Sequence, residues 1–179
     1  MATAVARLTI DDFELLSDEE AENKELVDGE LVEVPGNVPE HNLMRDGIIT
    51  VARPVIKRNG VGVIISEQEF DFGGDAHAPD IAFISRANMS LLNLKRRVQP
   101  FAPDLAIEIE SASNSFRYLV GRIEKYLRFG TREGWILSRD TRRAFLFSAN
   151  REAIFNESHS FEPESIPGLS IPLRDIFEF

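Results

Sequence analysis

The chain of 179 residues predicts an α/β fold in which a mixed β-sheet is flanked by helices. Two stretches, Pro39 to Gly60 and Phe116 to Gly130, place apolar residues at spacings of three and four, the period of a helix with one inward face. Short apolar or alternating runs lie between and after them, bounded by Gly, Pro, Asn and Asp, as strands are. There is no internal repeat and no low-complexity linker, so residues 1–179 read as one domain. Within it, residues 1–40 form an acidic helix and hairpin, and 41–179 form the core.

The elements follow in order. Thr9 or Asp11 caps a short helix over Asp12 to Leu16, and Ser17 starts a second one with acids in its first turn. Lys24 to Val34 is a hairpin around Asp28-Gly29. The helix from Pro39 turns His41, Met44, Ile48, Val51 and Val55 inward, is kinked or ended by Pro54, and closes at Arg58-Asn59-Gly60. Val61 to Ile65 is a strand, and Glu67 to Phe72 alternates as a strand with one wet face. Gly73-Gly74-Asp75 turns into the strand that begins at Pro79-Asp80. Asn88 to Arg97 is a short helix or a loop, and Leu105 to Glu110 is the next strand. Ser111 to Ser115 is a polar turn. The helix over Phe116 to Phe129 faces Leu119, Ile123, Tyr126 and Leu127 inward and ends at Gly130. Gly134 to Leu137 and Arg143 to Phe147 are strands, followed by a weak strand near Ile154 and a last turn from Arg174.

The chain has no cysteine, which excludes a disulfide framework and thiolate metal sites. No apolar run approaches the ~18 residues of a membrane span. Met1 to Ile10 lacks the pattern of a signal peptide, so the expected compartment is the cytoplasm. The net charge of −10 is unevenly spread: residues 1–40 hold 12 acidic and 2 basic side chains, whereas residues 86–143 hold 12 basic and 6 acidic. That split is compatible with a phosphate-bearing ligand, and equally with a solvated acidic helix at the front.

Chemistry concentrates at Asp80, Glu108 and Glu110, with Glu25 and His41 as more distant candidates. On a strand, Glu108 and Glu110 share one face. Carboxylates on neighbouring strands are oxygen ligands suited to Mg²⁺ or Mn²⁺, which polarise a phosphoryl oxygen and lower the pKa of a bound water. The competing reading is a solvent-facing or arginine-paired set of structural acids. His77 and His159 read as surface loop residues, and Trp135 and Tyr126 as core. Lys95-Arg96-Arg97 either tracks a phosphate backbone or is simply solvated.

The pattern resembles the PD-(D/E)xK nucleases, with Pro79-Asp80 as the first acid and Glu108-Ile109-Glu110 in the E-x-K position. More specifically, the chain is similar to the Uma-two family of restriction-endonuclease-like proteins. The similarity runs through Glu25 to Val32, Pro39-Glu40-His41, Pro79 to Phe83, Pro103 to Ser111, Gly130 to Trp135, Ile166 to Leu169 and Ile176-Phe177. It implies a restriction-endonuclease-like mixed sheet and metal-dependent phosphodiester hydrolysis. The implied acids are Asp80 and Glu108, supported by Glu25 and His41, and the implied cofactor is Mg²⁺ or Mn²⁺. DNA is the implied substrate, and kinship with restriction enzymes together with an open-edged sheet implies a homodimer.

Three positions depart from the family pattern. Glu110 stands where an apolar residue is usual, Tyr118 where an acid is usual, and Arg122 where the helix lysine is usual, with Lys125 one turn on. Arginine stabilises an anionic phosphate but does not readily give up a proton. A Glu110–Arg122 charge pair is therefore expected beside a site that binds metal weakly or not at all; in the nuclease reading the metal set is Asp80, Glu108 and Glu110, with Arg122 or Lys125 neutralising the transition state. Two readings stay open: a metal-dependent endonuclease, and a non-catalytic descendant that binds nucleic acid or a partner. A hydrolase acting on something other than DNA is a third, since fold does not set substrate.

Overall fold

The structure, a computed structural model, describes residues 7–111 and 114–178. Met1 to Ala6, the centre of the polar turn after Ser111, and Phe179 lie outside the described residues.

Two short helices open the chain, α1 (Ile10–Glu14) and α2 (Asp18–Ala21), each started by a capping box from Thr9 and Ser17. The hairpin follows as β1 (Lys24–Val27) and β2 (Glu30–Glu33). Its two-residue loop needs positive φ at both positions, and Asp28 (51°) and Gly29 (77°) supply it. The long helix α3 (Pro39–Asn59) leads to β3 (Gly62–Ser66), β4 (Phe70–Asp71), β5 (Ala76–His77) and β6 (Ile81–Ser85). Then come β7 (Leu105–Ile109), α4 (Phe116–Arg128), β8 (Glu133–Ser138), β9 (Arg143–Ser148) and β10 (Arg151–Asn156). The end of the chain adds β11 (Ser160–Phe161), β12 (Ile171–Pro172) and α5 (Leu173–Phe177).

Six strands form the main sheet in the order β10-β9-β8-β7-β6-β3. It is mixed: β7 and β8, joined through α4, run parallel, and the other neighbours are antiparallel. A smaller sheet, β2-β1-β5-β4, stands beside it. Period-two alternation divides the central strands between two cores. Leu105, Ile107 and Ile109 pack with α3 and α5, and Ala106 packs with α4 residues Leu119, Ile123 and Tyr126. Trp135 is buried on the α3 side, its indole N–H donating to Glu133 Oε1 at 2.8 Å. A fully buried indole needs such a partner for its polar edge.

The structure differs from the sequence reading in three places. Pro54 lies inside α3 without ending it, and Gly60 closes the helix in the left-handed region at φ 63°. The inward face continues through Ile49, Ala52 and Ile56, while Val51 is exposed. A strict three-four spacing drifts by about 20° per heptad against a 3.6-residue turn, and over two heptads that brings 52 and 56 inward and turns 51 out, while Val55 stays partly buried against the core. Glu67 to Phe72 is not one strand: Glu67 adopts φ 53°, and only Phe70–Asp71 pairs. His77 is not a surface residue but is buried on β5, because the small sheet folds against α4; His159 is exposed, as expected.

Candidate active site

Asp80 directly precedes β6, and Glu108 is the fourth residue of β7. Ile81 faces Ile107 across that antiparallel pair, so the next positions outward bring Asp80 and Glu108 opposite each other. Both line a cavity of about 410 Å³ with Glu25, Arg122, Glu67, Glu69, Asn42 and Arg45.

Arg122 is the hub of this cavity's floor. It projects from α4, is buried, and gives its two terminal nitrogens to Glu25: Nη1 donates to Oε2 at 2.7 Å and Nη2 to Oε1 at 2.9 Å. Nε donates to Glu108 Oε1 at 3.1 Å and to the Tyr126 hydroxyl at 2.8 Å. The remaining N–H groups reach Tyr118 Oη at 3.4 Å and the Ala78 carbonyl at 3.2 Å. All five donors of the guanidinium are thus engaged. Tyr126 donates its own proton to Glu108 Oε1 at 2.7 Å, so Tyr126 is core by burial and polar by function.

The two carboxylates around Arg122 separate electrostatically. Burial alone would raise Glu25, but the hydrogen bond from His77 (2.9 Å) and the charges of Arg122 and His77 hold it at about 2. Burial pushes Glu108 up to about 8, with Arg122 pulling it down and the nearby Asp80 charge adding to the rise. The reason is geometric. The bidentate edge of the guanidinium is spent on Glu25, and Glu108 receives only Nε. Glu108 Oε2 accepts no hydrogen bond among the described residues.

Asp80 is held by the backbone. Its Oδ2 accepts from the Ile109 N–H at 2.6 Å, and its Oδ1 lies 3.0 Å from His41 Nε2. The imidazole is buried, and neither ring nitrogen makes an aligned hydrogen bond among the described residues, so His41 meets Asp80 as a close polar contact only. Ala78 N–H donates to Glu25 Oε1 at 3.0 Å, which pins the chain just ahead of Pro79-Asp80.

The expected constellation therefore assembles in part. Asp80, Glu108, Glu25 and Arg122 meet at one cavity, and His41 abuts Asp80 from α3. Glu110 does not join them. β7 ends at Ile109, the alternation stops there, and Glu110 lines a different cavity with Val38, Glu40, Met44 and Arg139. The expected Glu110–Arg122 pair is replaced by Arg122 with Glu25 and Glu108. Lys125 also points elsewhere, to an ion pair with Asp75 near His77. The basic run is not a free phosphate track: Arg96 pairs with Asp11 and Glu14, and Arg97 pairs with Glu69 while lying over the Phe13 ring. Lys95 alone of the three is exposed.

Sequence reasoning missed Arg45, Glu67 and Glu69 at the cavity. Glu69 is pushed up to about 7 by burial, against the pull of Arg97. The signal available was the acid density of Glu67-Gln68-Glu69, but reading the segment as a strand sent its acids to water.

The Uma2 family, described as "Putative restriction endonuclease", matches residues 10–174. This chain belongs to the Uma2 family. A crystal structure from Anabaena variabilis, described as a putative nuclease belonging to DUF820, superposes with a TM-score of 0.82 at 22% identity, covering 95% of this chain and 97% of the other. At that identity the likeness establishes a shared fold. A search of curated proteins finds no match. The surroundings of the buried Arg122 are built around a guanidinium, and a lysine ammonium there, with three donors, would leave some of these acceptors short of a partner.

Proposed function

We propose that this Uma2 protein is a Mg²⁺- or Mn²⁺-dependent endonuclease that hydrolyses phosphodiester bonds in DNA. One observation carries the reading. Asp80 and Glu108, on adjacent antiparallel strands, line one cavity, and Glu108 keeps an oxygen without a hydrogen bond. Hard carboxylate oxygens of this kind suit a small divalent ion, so the residues present fit one. No group of three or more His, Cys, Asp or Glu side chains among the described residues is placed to hold an ion, so the protein's share of its shell would be these two carboxylates. Asp80 and Glu108 would hold it, and when bound it would polarise the phosphoryl oxygen and acidify a water.

The protein's own groups prepare the site. The Ile109 N–H fixes Asp80 Oδ2 while its Oδ1 meets His41, and Arg122 Nε with the Tyr126 hydroxyl fixes Glu108 Oε1, which leaves Glu108 Oε2 uncommitted. Glu25, held by Arg122, His77 and the Ala78 N–H, braces the segment that carries Asp80. Arg122 is a positioning residue in this scheme, since none of its donors is left for a phosphate. The reading includes a cytoplasmic homodimer; the unpaired outer edge of β10 in the main sheet is compatible with one, and sedimentation of the purified chain tests it.

The engagement of every Arg122 donor also favours a second reading, a DNA-binding descendant without catalysis. Calorimetric titration with Mn²⁺, then cleavage assays on linear, supercoiled and single-stranded DNA, separates the two. Mn²⁺ binding and cleavage that are both lost in Glu108→Ala support the nuclease. Absence of Mn²⁺ binding at millimolar concentration overturns it, and DNA binding without cleavage would leave the second reading standing.

A further inference from the structure

We infer that Arg45 and Asn37, with Asn42 beside them, form a phosphate-binding subsite at the mouth of the Asp80–Glu108 cavity, and that the Glu67 carboxylate occupies it when no substrate is bound. The inference rests on the nuclease reading for the identity of the phosphate, a backbone phosphodiester of DNA.

The geometry begins with α3. Asn42 and Arg45 are three residues apart, one turn along the same helix face, and both line the cavity. Asn37 sits just ahead of the helix and lines it as well. Arg45 Nη1 is bonded to Glu67 Oε1, and Asn37 Nδ2 donates to that same oxygen at 3.0 Å. One anionic oxygen is therefore held by both a guanidinium from α3 and a carboxamide from the loop before it. Planar donors converging on one anionic oxygen are what a phosphate oxygen requires.

The carboxylate in that grip is not a fixture. Glu67 is half exposed, with side-chain exposure of 52%, while Arg45 is mostly covered at 14%. Glu67 also carries a positive φ of 53°, a conformation uncommon for a residue with a Cβ, so its backbone carries local strain. An ion pair with one exposed partner contributes little to stability, so a phosphodiester, which spreads its single negative charge over two non-bridging oxygens, can compete for the same donors. Arg122 cannot take this role, since its donors are spent on Glu25, Glu108, Tyr118, Tyr126 and the Ala78 carbonyl. Of the other cations lining the cavity, Lys24 donates to the Glu20 carbonyl, and Arg45 pairs with exposed Asp46 through Nε at 3.2 Å and with Glu67 at the rim, not with the buried floor.

The test is DNA binding by fluorescence anisotropy, with a short labelled duplex and EDTA present so that cleavage plays no part. Wild type is compared with Arg45→Gln, Glu67→Gln, Glu67→Gly and the double variant Arg45→Gln/Glu67→Gln, each checked for folding by circular dichroism. Arg45→Gln should weaken binding by about tenfold or more and lower the slope of log affinity against log salt by about one. Both Glu67 variants should tighten it several-fold, and the double variant should lose that gain because the released donor is gone. Unchanged affinity and slope in Arg45→Gln overturn the subsite. Glu67 variants that bind no better than wild type, or no detectable binding in any of them, overturn the claim that Glu67 is an internal competitor.

Cleavage is scored separately in Mn²⁺. DNA binding with these dependences but no cleavage keeps the subsite and removes the nuclease reading. Cleavage with binding indifferent to residues 45 and 67 does the reverse.

Discussion

At the scale of single residues, the buried Arg122 is what holds the site's carboxylates in place. Removing it leaves Glu25 and Glu108 buried without their shared cation, and an uncompensated buried charge costs far more than an exposed one. Arg122→Ala is expected to destabilise the protein by about 3–5 kcal/mol, read from urea denaturation. Arg122→Lys should recover only part of this, because one ammonium cannot make a bidentate bond to Glu25 and still reach Glu108. Full recovery by lysine would count against the bidentate geometry. The presence of a charged side chain at 122 was legible in the sequence, and its partner was not. Glu110 is near in sequence and shares Glu108's parity, but strand parity holds only while the strand lasts, and β7 stops at Ile109. Glu25 is 97 residues away from Arg122, a separation that no local pattern encodes.

Between elements, the tight contact is α4 against β8. A Cβ on Gly134 would stand 2.5 Å from Ile123 Cγ2, inside the helix–sheet interface. Gly134→Ala should therefore destabilise by about 1–3 kcal/mol through overpacking, visible as a lower melting temperature. It should also disturb the site, since the helix it displaces carries Arg122 and Tyr126. A second contact fastens α1 to the loop before β7: Arg97 lies 4.2 Å from the Phe13 ring centroid and bonds the Phe13 carbonyl. Arg97→Ala is expected to cost about 1–2 kcal/mol and to raise hydrogen exchange in α1, with little change in DNA affinity. A marked loss of DNA affinity would return this basic run to the phosphate track that its composition allowed. Helix positions were legible from period and caps, as at Pro39 and Gly60. The burial of His77 was not, because β5 is two residues long and too short for any period.

For the whole molecule, the two carboxylates bonded to Arg122 pull stability in opposite directions with pH. Glu25 is held below its ordinary value of 4.5, at about 2, so its contribution is present above pH 4.5 and is lost as pH falls toward 2. That contribution is on the order of 3 kcal/mol, and Glu25→Gln should flatten the acid limb of the stability profile. Glu108 is raised from 4.5 to about 8, so the stability linked to its proton is full below pH 4.5 and declines as pH rises through 8. Glu108→Gln should flatten the decline between those values, measured by denaturation at a series of pH. A wild-type profile rising from pH 5 to 8, with Glu108→Gln falling over the same range, would reverse the assignment.

By itself the sequence determined the α/β class, the Asp28-Gly29 hairpin, the two amphipathic helices, the family, and Asp80 and Glu108 as the acids to watch. These rest on local periods, turn chemistry and motif spacing, which are written into neighbouring residues. Tertiary structure alone decided that Glu25 and Glu108 share Arg122, that Lys125 belongs to Asp75, that Glu110 lies outside the cavity, and that Arg45 faces Glu67 at its mouth. The physical reason is that a charge buried far from water is governed by its nearest opposite charge in space, and chain folding, not chain order, chooses that neighbour.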